Sequence, residues 1–222
     1  ISAPRCFEVE ARLRQLLDIP VFHDDQHGTA IVVLAALKNS LKLVKKDISS
    51  VKIVMSGAGA AGTAVARLLV KSGAKNIVAF DKDGVINGSR NRDDEMRAWF
   101  IDHSNPMNFA GNLHEAMTGA DVFIGVSAPN VLTEADIASM GEKSIVFALA
   151  NPDPEIDPVI ARKYAAVVAT GRSDQPNQIN NVLAFPGIFR GLLDAQANQI
   201  TDELLIAAAN AIADCVSASQ LN

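Results

Sequence analysis

Short runs of uninterrupted apolar residues alternate along this chain with longer segments whose apolar positions recur every three or four residues. The continuous runs are Val51–Ser56, Asn76–Phe80, Asp121–Val126, Ser144–Leu149 and Ala166–Ala169. Val, Ile and Ala without polar alternation are what strands buried on both faces require. Helical spacing covers Pro4–Leu17, with Phe7, Leu13, Leu16 and Leu17 along one side, and Thr29–Val44, which closes on Lys45 and Lys46. It recurs over Thr63–Lys71 (closed by Gly73), Leu113–Met117, Pro158–Tyr164 and Phe185–Asp194. Thr133-Glu-Ala-Asp136 is a capping box opening another helix, and Thr201 caps a last one, with Asp202 and Glu203 in its first turn. Residues 82–111 are polar and irregular, with part of the charged stretch 91–97 a helix candidate. Strands alternating with helices predict an α/β fold: a doubly wound parallel sheet with helices on both faces. No internal repeat, low-complexity segment or dividing linker interrupts the pattern.

One stretch gives that sheet a purpose. The first strand runs into Gly57-Ala-Gly59-Ala60-Ala61-Gly62, a helix follows, and the second strand ends on Asp81. Strand, glycine turn, helix, strand and acid, in that order, make the dinucleotide-binding unit of a Rossmann-like fold. Gly57 permits the tight turn. Gly59 lets a pyrophosphate approach the backbone, and Gly62 lets helix and strand pack closely. The free N–H groups of the helix start, around Ala60 and Ala61, face the phosphates. Asp81 is placed to take the ribose hydroxyls. A glycine turn alone also occurs wherever a helix packs tightly on a strand, so the combination carries the assignment.

Composition narrows the class. Of 222 residues, 49% are hydrophobic and only 5% aromatic, so a sizeable core of small aliphatic side chains is available. The net charge of −5 comes without a basic block, which argues against nucleic acid. The apolar stretches are too short for a membrane span. Cys6 and Cys215 lie far apart, as reduced thiols of a cytoplasmic protein would, and nothing resembles a signal peptide. The chain opens on Ile1, so a longer parent is expected. Residues 1–20 are expected to belong to, or bridge to, a preceding domain, and 21–222 to form the dinucleotide-binding domain.

Further polar clusters follow the strands: Ser127-Ala-Pro129-Asn130, Asn151-Pro-Asp153-Pro and Thr170-Gly-Arg172-Ser173-Asp174, with Asn180-Asn181 before Phe185-Pro-Gly187. Each alone is ordinary turn chemistry. Their recurrence at one edge of the sheet predicts a site there. The other cluster is His23-Asp24-Asp25-Gln26-His27-Gly28-Thr29 at the mouth of an apolar helix. One Asp there can cap the helix while the other binds a cation. Oxygen ligands favour Mg²⁺ or Mn²⁺ over the zinc that His23 and His27 could suggest. His103 and His114 read as surface or packing residues.

Four motifs in this order, VFHDDQHGTA, GAGAAG, ALANPDPEI and NQINNVLAFPGIFRG, resemble the nucleotide-binding domain of malic enzymes, especially the bacterial type, over nearly the whole chain. The resemblance implies oxidative decarboxylation of L-malate to pyruvate and CO₂ with NAD or NADP and a divalent metal. It implies that Asp25 ligates the metal and Asp24 supports it. Asn151 and Asn181, helped by Asn180, would contact the substrate carboxylates and the nicotinamide end. Thr29 and Ser127 would line the cofactor cleft. Asp81 disfavours a 2′-phosphate and so favours NAD, although Lys82 and Lys75 nearby could offset it. The family's catalytic lysine and tyrosine are expected from a preceding domain, since the sole tyrosine, Tyr164, stands outside the matching motif. The remaining acidic metal ligands are expected just before Ile1. Alone, then, this chain is expected to be inactive. A homodimer or larger homo-oligomer is implied. Malolactic conversion, oxaloacetate decarboxylation on the same scaffold and a non-catalytic dinucleotide-binding module remain alternatives.

Overall fold

The structure, a computed structural model, describes residues 5–217 and 219–221. Pro4, expected to open the first helix, lies outside them. The chain divides into two compact units, one of residues 1–39, 59–72 and 180–222 and the other of 40–58 and 73–179.

The second unit holds the sheet. Its strands are β1 (Lys52–Ser56), β2 (Asn76–Asp81), β3 (Gly84–Val85), β4 (Val122–Gly125), β5 (Ile145–Ala148) and β6 (Val167–Thr170). They lie in the order β3-β2-β1-β4-β5-β6. Strands β2, β1, β4, β5 and β6 are parallel, in the positions the apolar runs predict. The correction is β3, which pairs antiparallel with β2 and makes the sheet mixed. Two residues are too few to show any alternation, and the Gly84 backbone at φ +111° makes the tight return possible. The core packs Val54, Phe80, Met117, Phe123, Ile137, Val146 and Val168 into one cluster. Helices α4 (Glu95–His103), α5 (Leu113–Met117), α6 (Glu134–Ala138) and α7 (Pro158–Ala161) belong to this unit.

The capping box at α6 forms as predicted, and more is attached to it. Asp136 Oδ2 accepts from the Thr133 N–H at 2.6 Å and the Thr133 hydroxyl at 2.7 Å, and His114 Nδ1 lies 2.9 Å from both carboxylate oxygens. Burial pushes the Asp136 pKa up, but these partners more than offset it and hold it below the usual range. A depressed folded pKa means the stabilisation is present at neutral pH and is lost as acid protonates the group. Asp136→Ala is therefore expected to lose about 1–2 kcal/mol at neutral pH. In acid its denaturant midpoint should converge on that of the parent, and a deficit constant with pH would contradict this.

The first unit is helical, with α1 (Arg5–Leu16), the opening turns of α2 (Thr29–Val44), α3 (Ala60–Lys71), α8 (Phe185–Asp194) and α9 (Asp202–Asp214). Ile31, Val33, Leu34 and Leu37 of α2 are fully buried. Asn39 donates to the Ala213 carbonyl at 2.9 Å, and Lys38 bonds Asn210, which ties α2 to α9. Helix α1 departs from the apolar stripe predicted for it. Cys6 and Glu10 are its buried residues, while Leu13 and Leu16, with Leu17 and Ile19 beyond its end, are exposed.

Candidate functional site

In the sheet unit the polar residues collect at the carboxyl ends of β1, β4 and β5, where the strand order reverses and doubly wound sheets bind ligands. Gly57 leaves β1 at φ +103° and donates its N–H to the Phe80 carbonyl at 2.9 Å. A methyl group there would stand 2.5 Å from the Val126 carbonyl oxygen, so no other residue fits. Ser127, exposed beyond β4, shares a 2.8 Å hydrogen bond with Ser56 at the end of β1. Asn151 is exposed beyond β5 and is followed by a cis peptide bond to Pro152.

Asp81 closes β2 but does not stand free. Arg90 Nη2 donates to its two oxygens at 3.2 and 2.9 Å, Arg97 Nε lies 3.4 Å away, and the Asp83 N–H donates at 2.9 Å. Lys82 and Lys75, the basic residues singled out in the sequence, are exposed, and the cations on Asp81 are instead Arg90 and Arg97. No periodicity points to this pair: the β3 turn returns the chain past Asp81 and brings residues 90–97 with it.

In the helical unit, Gly59 precedes the first turn of α3, which holds Ala60, Ala61 and the buried Gly62. Nothing lies within 4 Å of where a Gly59 Cβ would stand, so that backbone is open to approach. Helix α3 packs against a single wide turn, Asp24–Gly28, that runs directly into α2. Wide turns of this π type frequently mark functional sites. Thr29 opens α2, and its N–H bonds the Asp24 and Gln26 carbonyls.

Within that turn the two adjacent carboxylates differ. The Asp25 side chain is 85% exposed, with His23 Nε2 3.9 Å away. Asp24 is half-buried: Oδ2 accepts from the Asn181 amide, while Oδ1 is buried without a partner among the described residues. Burial and the Asp25 charge raise the Asp24 pKa above the ordinary range, against the pull of His23 and Asn181. An orphaned carboxylate oxygen beside a second, free carboxylate suits a hard cation better than a helix cap. Among the described residues no group of three or more His, Cys, Asp or Glu gathers that could by itself hold a metal ion. Asn180 accepts from the Val182 N–H at 3.0 Å, capping the short turn Asn181–Leu183 that presents Asn181.

Glu10 of α1 holds the turn from behind. Its oxygens take the Gln26 amide at 2.8 Å and His27 Nε2 at 2.6 Å, and His23 bonds Gln26. Burial would raise the Glu10 pKa, but His27, Arg14 and His23 bring it below the ordinary value. Both histidines are thus engaged within the protein, which weighs against zinc. His103 stacks on Trp99 at 4.7 Å, and Tyr164, exposed, donates its hydroxyl to Glu134 at 2.9 Å, away from any site residue. Sequence reasoning gave no role to Glu10, Arg90, Arg97 or the buried Glu155. Of these only Glu155 carried a signal, its place in the NPDPE run.

Comparison with known proteins bears on these arrangements. A model of the malic enzyme NAD-binding domain matches residues 26–222. The chain is 53% identical, over its whole length, to the NAD-dependent malic enzyme of Geobacillus stearothermophilus, of which it covers 46%. It is 48% identical over 99% of its length to the NADP-dependent malic enzyme of Salmonella typhimurium, covering 29% of that protein. The crystal structure of the NAD-dependent malic enzyme of Thermotoga maritima superposes on all of it with a TM-score of 0.95 at 46% identity, and the chain covers 59% of that structure. The chain therefore spans about half or less of the curated relatives it matches.

Proposed function

The chain belongs to the malic enzyme family, as its NAD-binding domain, and on that premise we propose that the whole protein converts L-malate to pyruvate and CO₂ while reducing a nicotinamide dinucleotide. The observation that carries the reading is the Asp24–Asp25 pair: a free carboxylate beside a half-buried one with an orphaned oxygen, in a turn packed on the glycine helix α3. Gly57 to Gly62 take the pyrophosphate, with the N–H groups of Ala60 and Ala61 as donors. Ser127 and Thr29 line the cofactor cleft. Asn151 and Asn181 orient carboxylates and the nicotinamide end without adding charge, and Asn180 holds Asn181 in place. Asp25 ligates Mg²⁺ or Mn²⁺ and Asp24 supports it. When bound, the cation supplies Lewis acidity at the C2 oxygen of the hydroxyacid. The protein is proposed to work in the cytoplasm as a homo-oligomer, with no nucleic-acid or membrane partner; among the described residues no helix is long and apolar enough to cross a membrane. Residues 1–20 are proposed to bridge to the remainder of the protein, supported by the exposed Leu13, Leu16, Leu17 and Ile19.

The test is product analysis with full-length protein, L-malate, Mn²⁺ and cofactor. Equal yields of pyruvate and reduced nicotinamide are expected. Lactate without reduced cofactor would move the assignment to malolactic chemistry, and malate turnover by residues 1–222 alone would contradict the division of labour.

Relatives of both cofactor types match at similar identity, so preference must come from the site. We propose NAD, because the Asp81 carboxylate at the end of β2 repels a 2′-phosphate. Its two guanidiniums make the preference reversible. Asp81→Ala frees Arg90 and Arg97 for a phosphate, and Arg forks suit phosphate well. The kcat/KM ratio of NADP over NAD is expected to rise by about tenfold or more, the effect of one to two kcal/mol of charge pairing. An unchanged ratio would remove Asp81 from the specificity site.

A further inference from the structure

Glu155 has no exposed surface. Burying a carboxylate is costly unless its oxygens are satisfied, and an apolar side chain of the same volume is often the more stabilising choice. Here the oxygens are satisfied from two different loops. Oε1 accepts from the Ser127 N–H at 2.9 Å and the Ser127 hydroxyl at 3.2 Å, and Oε2 accepts from the Ala150 N–H at 3.0 Å. The Ser127 hydroxyl continues the line to Ser56 at 2.8 Å. Ser56 ends β1, Ser127 follows β4 and Ala150 follows β5, so one carboxylate ties together the carboxyl ends of three adjacent strands. The main chain around it adds two more ties: the Leu132 N–H donates to the Glu155 carbonyl at 3.0 Å and the Asn130 N–H to the Pro154 carbonyl at 3.1 Å. Gly125 in β4 leaves the room. A methyl group there would stand 2.3 Å from the Glu155 carboxyl carbon.

We infer that Glu155 is a positioning residue of the dinucleotide site, fixing the loops that carry Ser127 and Asn151 where the strand order reverses. The inference rests on the cofactor role proposed above. Its chemical content is the need for two acceptor oxygens. Donors arrive from both sides, and only a carboxylate accepts at both ends. Glutamine has the same shape but one acceptor oxygen, so its NH₂ must face either Ser127 or the Ala150 N–H. One loop is then released while the volume is kept.

The experiment is calorimetric titration of NADH into the 222-residue chain and its Glu155→Gln variant, alongside thermal unfolding of both. Glu155→Gln is expected to weaken NADH by about tenfold or more, the effect of leaving one buried donor unsatisfied, at a temperature where the variant is still folded. In the full-length enzyme the same change should raise KM for the cofactor more than it lowers kcat. A folded Glu155→Gln chain that binds NADH as the parent does would overturn the inference, because a role in packing or fold alone leaves binding by the folded molecule unmoved. Should that variant fail to fold, Ser56→Ala removes only the hydroxyl at the far end of the line. It is expected to weaken NADH about threefold, and unchanged binding there would overturn the inference equally. Failure of the parent chain to bind NADH would remove the proposed cofactor role itself, and this inference with it.

Discussion

Replacing Asp25 by Ala is expected to abolish metal-dependent malate turnover in the full-length protein and to leave NADH binding nearly unchanged. The expectation comes from the contrast between two neighbouring carboxylates. Asp24 is half-buried, bonded by Asn181, and pushed by burial and by the Asp25 charge toward its protonated form. Asp25 is free in solvent, with His23 3.9 Å away. Its exposure means the fold does not depend on it, so its loss should not unfold the turn. The turn itself is held from elsewhere, by Glu10 on Gln26 and His27. A Lewis-acid cation contributes several kcal/mol to such a reaction, so losing a ligand to it should cost about a thousandfold or more in kcat. Mn²⁺-dependent kinetics and NADH titration on the same variant check both halves. Full turnover in Asp25→Ala, or loss of its NADH binding, would contradict the assignment.

The first two glycines of the nucleotide turn are expected to fail in opposite ways. Gly57 sits at φ +103°, and an added methyl would meet the Val126 carbonyl oxygen at 2.5 Å and its carbon at 2.9 Å. Those are backbone atoms between paired strands and cannot step aside. Gly57→Ala is therefore expected to destabilise the protein by about 2–4 kcal/mol, through left-handed strain plus overpacking. At this chain length that is roughly 5–15 °C in melting temperature. Gly59 is the reverse case, with φ −83° and nothing within 4 Å of an added Cβ. Gly59→Ala should melt within about a degree or two of the parent, since surface changes away from special features are nearly neutral. It should still weaken NADH by about tenfold or more, because the methyl occupies the space a pyrophosphate needs. Thermal unfolding and NADH titration of the pair separate fold from ligand. Equal melting of the two variants would contradict the steric reading of Gly57, and tight NADH binding by Gly59→Ala would contradict the pyrophosphate position.

What could be read from the sequence follows from the range over which each feature is determined. The parallel strands announce themselves because each is a continuous apolar run, and the glycine turn because its parts are adjacent. Leu113–Met117 forms with the predicted bounds because its Asn112–Glu115 capping box is local, and Phe185–Asp194 because its first-turn proline and its periodicity are. Strand β3 is invisible because two residues carry no pattern. The wide turn 24–28 is equally unreadable, since no periodicity marks it and its shape depends on Glu10, Asn181 and α3. Helix α1 misleads because its leucines look like a buried stripe, yet the residue that holds it in place is the buried Glu10. Asp81 was legible as a terminal acid, but its guanidinium partners were not, because they return through a hairpin. Glu155 has only its place in the NPDPE run to mark it until the sheet brings Ser127, 28 positions away, onto its oxygen.

The most direct measurement is calorimetric titration of NADH and NADPH into residues 1–222 in the absence of substrate. One NADH bound per chain, competed by NAD and weaker for NADPH, is the predicted result. No heat and no competition with either nucleotide, from a chain whose thermal unfolding shows it to be folded, would contradict the claim that this domain is the dinucleotide-binding half of a malic enzyme.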